Sequence, residues 1–273
     1  MVENAVQQTA AGEVAPGERG SWLRSLGVDP GELAGRIVTT AAWKGGVGKT
    51  FLALELAHML DAVLVDFDWD KGNASRAWGF REETRATAPL LDALERGRTP
   101  RPLAGGPWRA DLIPCHADFV DNQPSPEQLT RALESWAADL KRPLVVDTHP
   151  GGVPATYGAV AAAHVVVVPV VLAEREMEAT EGMIGELKSY PLLLVPNKVG
   201  VSPQERYISW LERITSSAKV PVGPVVGRYE WLSTRRRRMA VTATQPVPAR
   251  AQRLVGELQR VGEAVVSHVR VAV

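Results

Sequence analysis

A chain of 273 residues with 31 basic and 31 acidic side chains carries no net charge, which excludes a uniformly basic nucleic-acid binder and leaves only a local patch for such contact. Its length and 45% apolar content suit one large α/β domain or two small ones with a substantial core. The single cysteine, Cys115, rules out an intrachain disulfide framework, a CxxC redox pair and a cysteine-rich zinc site, and it fits a reducing cytosol.

The opening MVENAVQQTAAGEVAPGERG has no basic stretch followed by an apolar run, so no secretory signal is expected. Residues 1–35 lack sustained periodicity and read as a mobile arm, with a helical turn or two within 21–33. One domain then runs over 36–273, in which short β-branched runs alternate with amphipathic segments. Strands are expected over 36–42, 62–68, 110–115, 143–149, 164–170, 191–197 and 224–228. Helices are expected over 50–60, 87–96, 126–140, 155–162, 174–188, 203–216 and 249–270, with 97–108 a Gly/Pro-rich surface loop. Strands that are apolar nearly throughout and separated by helices indicate an α/β fold. Its mostly parallel sheet would have about seven strands, covered by helices on both faces. The most apolar stretch, 159–173, is broken by His164 and Pro169 and falls short of a membrane span.

The strongest local signal is TTAAWKGGVGKTFLALELAHML. A β-branched strand meets Lys44-Gly45-Gly46-Val47-Gly48-Lys49-Thr50, and a helix of good formers follows. The glycines allow backbone angles that turn successive N–H groups inward as an anion nest, closed by a helix N-terminus. In such a loop Lys49 would hold the β- and γ-phosphates of ATP, and the Thr50 hydroxyl would ligate Mg²⁺.

The usual first glycine of a phosphate loop is replaced by Trp43, and a second lysine, Lys44, opens the motif. In this the chain resembles the ParA/MinD family of P-loop ATPases. The resemblance spans roughly 36–266 and implies that Lys44 reaches into the nucleotide of the opposing subunit of an ATP-sandwich homodimer. Two further motifs set carboxylates at strand ends, where the ligand crevice of an open α/β sheet lies. In VLVDFDWDKGNAS, Asp66 and Asp68 share a strand face beside the phosphate loop. By the family match Asp68 positions the attacking water and Asp66 supports the metal shell. Trp69-Asp70-Lys71 stands where the family has Pro-Gln, one residue longer. PLVVDTHPGG resembles a Walker B strand, which implies that Asp147 holds Mg²⁺ through water. His149 there replaces a common proline and reads as a loop histidine in preference to a catalytic base. Asn197, followed by Lys198, ends a strand where this fold contacts the nucleotide base, so it either recognises a purine edge or closes a turn.

Between Arg228 and Arg260 eight arginines face only Glu230 and Glu257, a local balance of +6, and Arg235, Arg236, Arg237 and Arg238 are consecutive. Arginine grips phosphate bidentately, and in the ParA family the corresponding late region lies near a dimer edge used for DNA. The resemblance therefore implies that this run, with Arg228, contacts double-stranded DNA without sequence preference; the alternative is a bland solvated face. The resemblance then implies a small-type ParA partition ATPase, cytoplasmic and nucleoid-associated when ATP-bound. A ParB-like centromere-binding partner would stimulate its hydrolysis. The alternatives are a MinD-like membrane cycler and an ATP-dependent biosynthetic relative. A membrane role is disfavoured because Leu254, Leu258, Val261, Val265 and Val269 fall at the spacing of a helix packed on the sheet. Cluster delivery is disfavoured because Cys115 stands alone.

Overall fold

A computed structural model describes residues 15–81, 89–235 and 239–271. In chain order they form β1 (Ala15–Pro16), α1 (Ser21–Ser25), a 3₁₀ turn (Pro30–Leu33), β2 (Ile37–Thr40), α2 (Lys49–Met59), β3 (Val63–Phe67), α3 (Ala74–Trp78) and α4 (Pro89–Glu95). Then follow β4 (Asp111–Ile113), α5 (Pro126–Leu140), β5 (Leu144–Thr148), α6 (Pro154–Ala162), β6 (Val165–Val170) and α7 (Glu174–Leu187). The chain closes with β7 (Leu192–Pro196), α8 (Glu205–Ala218), β8 (Thr244–Gln245) and α9 (Ala249–Val271).

Strands β2 to β7 make one six-stranded sheet in the order β4-β3-β5-β2-β6-β7, parallel throughout. Its residues alternate between two covered faces, as the two-residue period of a strand requires. Val38, Leu64, Val145, Val167 and Leu193 join the core under α2 and α9. Val63, Val65, Leu144 and Val146 join the core under α5 and α6. Burial on both faces is why these strands read as unbroken apolar runs.

The expected seventh strand at 224–228 is present only as a discontinuous edge. Val222 bridges Leu194 and Gly227 bridges Val199, both in parallel sense. Pro221 and Pro224 lack the N–H groups that a continuous ladder needs.

The reading of 1–35 as a mobile arm needs correction from residue 15 onward, while 1–14 lie outside the described residues. Leu23, Val28 and Leu33 are buried in the core that also holds α2 and α9. Arg19 ties this segment to Asp61 and Asp111 at 2.8 and 2.9 Å. Strand β1 pairs antiparallel with β8. These three buried apolar anchors, the Arg19 ion pairs and the β1–β8 pairing together fix the segment on the domain. The anchors are too widely spaced to register as a helical or strand period.

The loops that leave the carboxyl ends of β2, β3, β5 and β7 gather at one edge of the sheet, around the central strand β2. That edge holds the candidate site.

Candidate active site: a phosphate loop facing buried carboxylates

Helix α2 begins at Lys49 without any side-chain cap, so its first N–H groups are left open to a ligand. Gly46 and Gly48 sit in the left-handed region, with φ of 78° and 105°, as an inward-facing run of amides requires. A side chain at Gly48 would also collide with the amide of Asn197. Asn197 is buried and donates from its amide nitrogen to Val47 O at 2.7 Å. Lys198 donates from Nζ to Gly46 O at 2.6 Å. The end of β7 therefore braces the phosphate loop from outside. For Asn197 the sequence left a purine contact and a turn open, and the structure shows this bracing role, which neither reading contained.

Three acidic side chains lie behind the loop. Asp66, Asp147 and Thr40 are paired in one row across β3, β5 and β2. Asp147 is completely buried; Thr40 donates to its Oδ1 at 3.1 Å, and the nearby Thr50 hydroxyl acts to hold its pKa down. Its Oδ2 meets hydrogen-bond geometry with no described residue. Burial pushes the Asp147 carboxyl up to about 6, against the opposing pull of the nearby Lys49 ammonium. Burial drives the Lys49 pKa down, while Asp147, Asp68 and Asp70 act to raise it. A buried lysine facing buried carboxylates above an uncapped helix end is an arrangement built for a strongly charged anion with its counter-cation.

Asp66 is placed differently from the metal role the resemblance implied. Its Oδ2 accepts from Ser75 N and Oγ at 2.7 and 2.5 Å, and its Oδ1 accepts from Asp68 N at 3.0 Å. Both oxygens are thus committed to protein donors that fix the turn after β3. Burial and the adjacent Asp147 raise its pKa well above the usual range. Asp68 is buried at the mouth of the row. Its Oδ1 accepts from Asp70 N at 3.0 Å, and burial raises its pKa against the pull of that bond, His149 and Lys49. Lys44 is half-buried beside the loop and has no hydrogen-bond or ion-pair partner among the described residues.

A cavity of about 670 Å³ opens from the loop and is lined by Gly46, Phe51, Asn197, Lys198, Arg228 and Tyr229 among others. Arg228, grouped by sequence with a DNA-binding patch, stands in this wall and pairs with Glu230 at 2.6 Å. Glu257 of α9, which belongs to no recognisable motif, fixes the same wall. Its buried carboxylate accepts from Gly227 N at 2.8 Å and from the Tyr229 hydroxyl at 3.0 Å. Burial first, and then the bond to the Glu257 carboxylate, push the Tyr229 hydroxyl up to about 12.

Of the arginine run, Arg236, Arg237 and Arg238 lie outside the described residues. Arg235 lines a separate cavity with Trp78 and Met239. The Arg250 guanidinium lies 5.2 Å from the Trp231 ring centre, and Arg253 pairs with Glu257.

Residues 38–239 match the CobQ/CobB/MinD/ParA nucleotide binding domain. The chain belongs to this family. Its ParA and MinD branches are P-loop ATPases, and the matched region takes in residues 44–50. The chain is similar to the chromosome-partitioning ATPase Soj of Thermus thermophilus, at 34% identity over 185 residues, 64% of this chain and 68% of that one. Its fold matches apo McdA of Cyanothece with a TM-score of 0.68 at 13% identity, over 86% of this chain and 99% of that one. It also matches cobyrinic acid a,c-diamide synthase of Mycobacterium smegmatis, solved with an ATP analogue and magnesium, at a TM-score of 0.60 and 19% identity. That match covers 85% of this chain and 94% of the synthase. Among the described residues no helix is long and apolar enough to cross a membrane.

Proposed function

We propose that this chain is a partition-type ATPase that binds Mg–ATP, closes into a homodimer around it, and in that state grips double-stranded DNA without sequence preference. The observation that carries the reading is the unpaired Oδ2 of Asp147, buried beside Lys49 and Thr50 under an uncapped helix end. A buried carboxylate oxygen without a partner fits a site that a hydrated cation completes. Gly45, Gly46, Val47 and Gly48 offer backbone amides to the phosphates, Lys49 balances their charge, and Thr50 with Asp147 would hold Mg²⁺. That ion supplies charge neutralisation and fixes the phosphate orientation. Asp68, at the mouth of the row, orients the attacking water, while Asp66 sets the position of the Asp68 turn. Lys44, half-buried and unpaired among the described residues, is the group offered to the partner subunit's nucleotide. A ParB-like partner stimulating hydrolysis completes the reading, in keeping with the similarity to Soj. The site would then report its nucleotide state by where the protein resides, cytoplasmic when free and nucleoid-associated when ATP-bound.

The membrane-cycling alternative is less well supported, because the apolar stripe of α9, from Leu254 to Val269, is buried in the core. It already packs against the domain itself.

The Asp147 carboxyl must be ionised to hold the cation. Since its pKa stands at about 6, a proton competes increasingly as pH falls through that value. The Mg²⁺-dependent part of ATP-analogue affinity should be flat above about pH 7 and fall up to about tenfold per unit below about pH 6. Calorimetric titrations of wild type and Asp147→Asn across this range check it, since ATP's own titration is common to both. Equal pH profiles would remove Asp147 from the cation site.

DNA contact is tested by fluorescence anisotropy on unrelated duplexes, with and without ATP, at two salt concentrations. Replacing Arg235, Arg236, Arg237 and Arg238 together with alanine should leave ATP affinity unchanged. It should lower the salt slope by roughly 0.9 for each phosphate that is no longer neutralised. A sandwich dimer presents two such patches, so binding should appear only with ATP. Binding that ignores ATP, or is unchanged in the four-alanine variant, would leave the arginines as a solvated face.

A further inference from the structure

Two departures from the family pattern, far apart in sequence, meet in space. The Trp69 ring lies flat on the His149 imidazole, with centroids 4.1 Å apart and planes 7° from parallel. Asp70 reaches His149 as well, its Oδ2 standing 3.3 Å from Nε2. One polar atom each of Asp68, Asp70 and His149 lies within 4.8 Å of the others. The stack is anchored beneath, where Trp69 packs edge-on against Phe119 with centroids 6.2 Å apart and Phe119 packs on Phe67. Above, the backbone oxygen of His149 accepts from Thr156 of α6 at 3.2 Å.

We propose that Trp69, Asp70 and His149 form a clip that positions the Asp68 carboxylate for water activation. The inference rests on the role given to Asp68 above. A turn one residue longer, without proline, has more conformations available, and an Asp68 free to wander would orient water for only part of the time. The clip removes that freedom from both sides. Asp70 N holds the Asp68 carboxylate directly, while its side chain and the Trp69 ring tie the turn to the loop after β5. His149 is a positioning residue in this scheme. Trp69 and Asp70 act the same way, and none of the three has to touch the nucleotide.

Single-turnover and steady-state hydrolysis, with ATP-analogue affinity measured separately, test the clip in Trp69→Ala, His149→Ala, His149→Phe, Asp68→Ala and the Asp68→Ala/Trp69→Ala double variant. Trp69→Ala and His149→Ala should lose about tenfold in kcat while ATP affinity stays within about twofold. His149→Phe keeps a flat ring on Trp69 and should recover most of the loss. In the Asp68→Ala background, Trp69→Ala should cost nothing further, because the group being positioned is gone. Wild-type kcat in Trp69→Ala and His149→Ala, with Asp68→Ala inactive, overturns the clip alone. So does an additive loss in the double variant, or a parallel fall in affinity and kcat that His149→Phe fails to rescue. Undiminished turnover in Asp68→Ala overturns the Asp68 assignment and the clip together.

Discussion

Lys49→Ala should reduce ATP affinity by roughly two to three orders of magnitude. The lysine is buried at the first position of α2, with Asp147 and Asp68 as the charges that act on it most strongly. Truncating one member of a buried charged set costs about 3–5 kcal/mol, and every 1.4 kcal/mol is about tenfold. Two effects add in the same direction. The phosphates lose their main cationic contact, and Asp147 and Asp68 are left without the ammonium that screens them from an incoming polyanion. Titration with a fluorescent ATP analogue in excess Mg²⁺ measures the loss, and circular dichroism confirms the fold. Affinity within threefold of wild type would dismiss the phosphate-loop assignment.

Asp68→Ala should separate binding from turnover. The side chain stands at the mouth of the carboxylate row and bonds Asp70 N. Removing it takes away no phosphate ligand, so ATP affinity should stay within a few-fold. Orientation of a nucleophile or its proton contributes about 10²–10⁴-fold in such reactions, and the single-turnover rate should fall by about 10² or more. The ATP-bound dimer would then persist, visible as a longer-lived large species in light scattering. A variant that turns over normally would mean another group orients water.

Much of this architecture was legible in the sequence because it rests on repeating local rules. Six strands buried on both faces announce themselves as apolar runs, and the helix expected over 126–140 is α5, Pro126–Leu140, which Ser125 and Gln128 cap. The phosphate loop was legible for a different reason. Its glycines, lysine and threonine are each required by backbone geometry or charge within seven consecutive residues. What stayed hidden depends on contacts between distant segments. Helix α3 is five residues long and is held by the Asn73 cap and by Ser75 on Asp66, too short for any period. Arg19 carries no local signal until Asp61 and Asp111 are brought beside it. Lys198 looks in sequence like a mere neighbour of Asn197, yet both brace the same loop. His149 and Trp69, each a lone departure from the family pattern, acquire meaning only from the stack between them.

Glu257 has a consequence for the thermodynamics of the whole chain. It belongs to the last helix, yet its bonds to Gly227 and Tyr229 help hold the wall of the cavity beside the phosphate loop. If nucleotide fills that cavity, its binding and the docking of α9 are two arms of one thermodynamic cycle. The factor by which a docked helix strengthens nucleotide binding must equal the factor by which bound nucleotide strengthens docking. Residues from the beginning and end of the domain would therefore share a single ledger of free energy at the carboxyl end of the sheet.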